Sequence, residues 1–191
     1  MKYVIYMVAL VLITNCSGTK QFTEQENQAF ASLKSLVASK KFKIESYKAS
    51  ALASAAFTQV VNSGLLGPGN NASWIDITSN SNYLTIKGDT ISAFLPFYGE
   101  QHLGGSYPGS NHEGIEFNNA AEDYKVTEND AKHTVMVQFT IDDRYRNIEH
   151  YNVFITLFPN NHSDIQVLSS SRSSMEFTGN VEVLKEEGKK K

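Results

Sequence analysis

The side chains in this sequence that could do chemistry are five histidines, one cysteine and a few acid-rich turns. His102 and His112 stand ten residues apart in a glycine-rich stretch, and Glu113 follows the second. Two imidazoles and a carboxylate form a donor set for an open zinc site. Their spacing gives them no rigid frame, however, and no second histidine follows the His112-Glu113 pair four residues on. Solvated loop histidines are the expectation, with no metal and no cofactor assigned. Ser169-Ser170-Ser171 and Ser173-Ser174 lack the Gly-x-Ser-x-Gly turn that presents a nucleophilic serine. Asp142-Asp143, with Arg144 and Arg146, reads as a solvated hairpin loop of mixed charge. His133, His150 and His162 fall at strand ends or turns. The chain is therefore expected not to be an enzyme; the rival is a metal-dependent or hydrolytic enzyme built on His102, His112 and Glu113.

Cys16 is the chemically distinctive position. Lys2 supplies one early positive charge, an apolar run extends from Val4 to Ile13, and small or polar residues follow, which is the layout of a secretory signal. Ile13-Thr14-Asn15-Cys16 resembles a bacterial lipobox, in which the cysteine is acylated and becomes the first residue. A membrane-spanning helix needs ~20 apolar residues, and the run is shorter. A lipid anchor at Cys16 is the expectation; a secreted protein with an unrelated thiol is the alternative.

Cleavage before Cys16 would leave 176 of the 191 residues, with 16 basic side chains against 20 acidic. That length suffices for one domain with a real core. The mild acidity lacks the basic footprint of a nucleic-acid binder. With Cys16 acylated, no cysteine remains for an internal disulfide, so stability rests on the core.

The elements follow from periodicity. Residues 1–15 read as signal, 16–22 as a lipidated spacer, 23–184 as a single globular domain and 185–191 as a charged, disordered tail. Thr23-Glu24-Gln25-Glu26 fits a capping box. Ala29, Phe30, Leu33, Leu36 and Val37 then form one apolar stripe, which predicts an amphipathic helix over 23–40. Phe42–Glu45 alternates like a strand, whereas Ala49–Val61 suits helix or strand. Gly64–Asn71 reads as a loop. Strand-like runs follow at Trp74–Thr78, Tyr83–Lys87 and Ile91–Leu95, the last two joined by a Gly88-Asp89 hairpin. Gly99–Gly114 is a long loop of the kind that is often functional. Val135 to Ile141, Tyr151 to Leu157, Ile165–Leu168 and Met175 to Val183 complete the pattern, with Val183 on the apolar face. Apolar-in, polar-out alternation marks an antiparallel sheet wetted on one side. The expected class is α+β, mainly β: an N-terminal helix packed on a large antiparallel meander curled into a partial barrel.

Phe94-Leu95-Pro96-Phe97-Tyr98-Gly99 delivers two rings to the mouth of the long loop. They read either as the rim of a ligand cleft or as rings closing the bottom of the core. The rim reading names Phe97, Tyr98, His102 and Tyr107 as ligand-binding residues.

Asn82–Asp89 and Phe94–Gly99, with Gly114-Ile115-Glu116-Phe117 and Arg172-Ser173-Ser174-Met175-Glu176-Phe177-Thr178-Gly179, resemble a Bacteroidetes lipoprotein family of unknown function (domain of unknown function 4251). The likeness runs over residues 22–184. It implies an envelope lipoprotein and brings no catalytic residue. The expected function is thus a lipid-anchored, non-enzymatic envelope protein, on the outer membrane and facing the periplasm, that binds a small apolar ligand, a lipid or an envelope protein partner. A structural accessory lipoprotein is a further alternative.

Overall fold

The computed structural model describes residues 21–51, 58–59, 62–64, 67, 70–71, 73–102, 114–146 and 148–185. Helix α1 covers Glu24–Ala38. Its capping box forms as predicted: the Thr23 hydroxyl accepts the Glu26 N–H at 3.2 Å, and Glu26 Oε2 accepts the Thr23 N–H at 2.7 Å. The helix stops two residues before the predicted end, at a Ser39 cap. Lys40 then turns the chain in a left-handed conformation (φ 49°) and pairs with Asp89 at 2.9 Å. Phe30, Leu33 and Val37 are the buried members of the apolar stripe.

Ten strands follow: β1 Lys41–Ala51, β2 Ile75–Asp76, β3 Tyr83–Lys87, β4 Thr90–Leu95, β5 Ile115–Ala120, β6 Glu122–Asn129, β7 Thr134–Asp142, β8 His150–Leu157, β9 His162–Ser169 and β10 Met175–Val183. All pairings are antiparallel, in the order β5-β4-β3-β1-β10-β9-β8-β7-β6, with β2 added beside β1. Two meanders, β3–β5 and β6–β10, are thus joined by the first strand, which lies between β3 and β10. Chain continuity through Ala121 carries β5, paired to β4, directly into β6, paired to β7. The two ends of the sheet therefore approach each other. The Arg144 N–H donates to the Glu116 carbonyl at 2.8 Å across that gap, and the sheet becomes a nearly closed barrel.

The barrel interior is filled. Phe42, Phe117, Phe139, Phe177 and Tyr151 are at most 1% exposed, and Phe117 meets Phe139 edge-on at 6.2 Å. Helix α1 touches both β1 and β7 and adds its three apolar residues to this core. Val183, predicted to face inward, is 62% exposed because the strand runs past the core at its end.

Candidate functional site

The densest chemistry lies at the end of the barrel where β8 begins and β9 ends. Arg172 follows β9, and its side chain is 2% exposed. Its Nη2 donates to Glu149 Oε2 at 2.8 Å, and its Nε lies 2.8 Å from Oε1, so the two groups meet as a fork on a fork. Nη1 donates to the Gly114 carbonyl at 3.0 Å, tying β10's approach to the start of β5. Glu149 is fully buried and also accepts from Ser169 Oγ (2.8 Å) and Arg146 Nη1 (3.2 Å). Asp143 sits 3.9 Å from Arg172 and accepts the Tyr151 hydroxyl at 2.7 Å; its other oxygen takes the N–H groups of Tyr145 and Arg146. The 143–149 segment, predicted as a solvated loop, thus turns two carboxylates inward because a buried guanidinium waits for them.

Burial alone would push the Glu149 carboxyl up. The hydrogen bonds from Arg172 and Ser169, the Arg172 charge and the Arg146 bond outweigh it and hold the group below its ordinary value. Burial drives the Tyr151 phenol up, against the Arg172 charge and with the Asp143 hydrogen bond, so it stays neutral. These side chains are charge-matched, hydrogen-bonded and out of water, which is the condition of a structural cluster rather than a substrate site.

The predicted rim residues surround this cluster. The Phe97 ring covers the Arg172 guanidinium at 5.0 Å, a cation–π contact. Tyr98 is half-buried and accepts from Asn80 Nδ2 at 2.9 Å; burial raises its phenol, against that bond. Both rings pack on the core. His102 is exposed, and its backbone N–H donates to the Ser171 carbonyl at 2.8 Å. Tyr107, His112, Glu113 and Cys16 lie outside the described residues. Among the described residues, no group of three histidine, cysteine or acidic side chains could hold a metal ion.

Glycine and arginine motifs noted in the sequence have structural explanations here. A Cβ on Gly99 would fall 2.0 Å from Ser173 Oγ, the atom that accepts the Glu100 N–H. On Gly114 it would meet the Leu95 carbonyl at 2.9 Å. Gly179 lies against β1 where that strand bulges at Tyr47, between the pairs Ser46–Gly179 and Lys48–Thr178. A Cβ there would stand 2.3 Å from the Glu45 carbonyl oxygen. The bulge aims Tyr47 at His162 (3.5 Å), whose other ring nitrogen is 3.4 Å from Asp164. Contacts this long and this exposed do not make a proton relay.

Two surface depressions were not foreseen. One, of about 410 Å³, lies where α1 meets the turns after β6 and β8 and is lined by Phe22, Ala29, His133 and Phe158 among others. His133 is stacked between Phe22 (3.4 Å) and Phe30 (4.6 Å), which clamps the start of the helix to the barrel. The other, of about 430 Å³, crosses the outer face of the sheet between β1 and β7. The signal that could have found it is the set of outward residues opposite each buried one, which includes Phe154 and Met136 among polar side chains.

A crystal structure of a DUF4251 family protein from Bacteroides eggerthii is similar to this chain, with a TM-score of 0.54 and 14% identity over 83% of this chain and 90% of that one. At that identity the likeness is one of fold. No curated protein matches the chain. A family model described as Domain of unknown function (DUF4251) matches residues 24–181. That match spans the helix and the barrel from β1 into β10, and the chain belongs to this DUF4251 family.

Proposed function

We propose that this protein is a lipid-tethered, non-enzymatic binding module of the cell envelope, held at the outer membrane by Cys16 and facing the periplasm, which engages its ligand or partner on its outer surface. The observation that carries this reading is the filled barrel. Five aromatic side chains at 1% exposure or less occupy the space where a calyx would hold a small apolar molecule, so such a ligand has no interior to enter. The only extensive ionisable cluster among the described residues is charge-paired and buried, which supports a binding role over catalysis. The tether rests on the Val4–Ile13 run and the lipobox-like Ile13–Cys16. The Phe22–His133–Phe30 stack fits it, because it fixes the chain to the barrel six residues after Cys16.

Metabolic labelling with palmitate tests this assignment. The wild-type chain should carry the label and sediment with membranes. Cys16→Ser should lose both while its extracted form unfolds at the same urea concentration. A labelled Cys16→Ser chain, or an unlabelled wild type, would overturn the tether.

A further inference from the structure

The outer-face groove is built from two cross-strand rows. Met136, Thr156, Asp164, Thr178 and Lys48 are register partners in succession on β7, β8, β9, β10 and β1. Gln138, Phe154, Gln166, Glu176 and Ser50 form the parallel row two residues along. Four inter-strand steps of ~4.8 Å make the groove ~19 Å long, and the rows stand ~7 Å apart. All but Gln138 line it. An elongated, narrow ligand lying across the strands is what such a trough accepts.

Its chemistry narrows the class. Four of its eleven lining residues are threonine, serine or glutamine, and two carboxylates stand against one lysine, so an anionic nucleic acid or headgroup is disfavoured. The carboxylates are held in place yet keep a free oxygen each. Thr178 Oγ1 donates to Asp164 Oδ1 at 3.1 Å and Gln166 Nε2 to Glu176 Oε1 at 3.4 Å, leaving Oδ2 and Oε2 without a protein donor among the described residues. The half-buried Phe154 ring and the 37%-exposed Met136 are its outward apolar side chains; Ile165 and Phe177 also line it but are each 1% exposed, which leaves too little apolar surface for an acyl chain. An extended peptide binds a sheet by adding to a free edge; here all five strands are interior, paired on both sides, so their backbones offer nothing. What remains is a neutral chain rich in hydroxyls, with C–H faces to lie on an aromatic ring.

We propose that the groove across β7, β8, β9, β10 and β1 binds a neutral oligosaccharide, with Phe154 under one sugar ring and Asp164 and Glu176 accepting its hydroxyls. This deepens the binding-module reading by naming a ligand class, and it stands whether or not Cys16 is acylated. Isothermal titration of the described domain's full chain, carrying Cys16→Ser for solubility, with cellotetraose, maltotetraose and N-acetylchitotetraose is the test. At least one should bind, and Phe154→Ala and Glu176→Ala should each weaken it by about tenfold or more, a loss of about 1.4 kcal/mol, at unchanged urea midpoint. Phe154→Tyr, which keeps the ring, should retain binding. Silence from all three sugars, binding indifferent to these substitutions, or saturation instead by pentalysine would overturn the proposal.

Discussion

Arg172 is the residue on which the barrel end depends. It neutralises Glu149 directly and stands beside Asp143, and its removal would strand buried carboxylates, at about 3–5 kcal/mol. Arg172→Met should therefore lower the urea-unfolding free energy by that amount, whereas a change under 1 kcal/mol would mean that the loop relaxes into water. Glu149 also sets an acid limit. Its folded value lies below its ordinary 4.5, so the stability it contributes is complete above that pH and is lost as pH falls through the lowered value. Urea midpoints measured downward from neutral pH should fall more shallowly in Glu149→Gln than in the wild type. None of this was legible beforehand: Asp143 and Glu149 occur in an acid- and arginine-rich stretch whose composition is that of an exposed hairpin. Only the three-dimensional position of Arg172, twenty-three residues further on, draws them in. Phe97 was legible as an unusual ring, and its position over that guanidinium supplies the use.

At the level of elements, the β1 bulge and Gly179 act as one device. The close approach of β10 to β1 tolerates no Cβ, because the clash is with backbone, which cannot swing away. Gly179→Ala should cost about 3 kcal/mol, the upper range for overpacking, whereas a Cβ on Gly99 meets side chains alone, the Ser173 hydroxyl and the Phe97 ring at 2.9 Å, which can shift, and Gly99→Ala should cost less. Comparative thermal unfolding of the two variants checks the order; equal losses would show that β1 slides to accommodate the methyl. The strands with one wet face, β7 to β10, were readable because a period of two survives wherever a side is buried. Strand β6 was not readable. It faces solvent on nearly its whole length, Tyr124 alone packing on the core, so Glu122–Asn129 carries no alternation to read. The capping box of α1 was explicit in four residues, and its exact end was not, since Lys40 leaves the helix to reach Asp89.

For the whole molecule, the order of strands decides which surfaces stand open to a ligand. Placing β1 between β3 and β10 lets the two meanders curl toward each other, and the large aromatic residues then close the space within. A sheet of the same strands left open would have offered an apolar face; this one offers polar outer surface with isolated rings. The partial barrel was legible from the sequence of alternating strands, while its filled interior depends on which ring points where and was not. The Phe22 clamp lies beside α1, and the groove lies on the outer faces of β7, β8, β9, β10 and β1. Native mass spectrometry of the protein extracted from its own cells measures the proposed tether and the proposed cargo together. An acylated chain carrying a dissociable oligosaccharide, with the acyl mass kept and the cargo lost in Phe154→Ala, is the predicted spectrum; an acylated chain without cargo, or cargo unaffected by Phe154→Ala, would contradict the account.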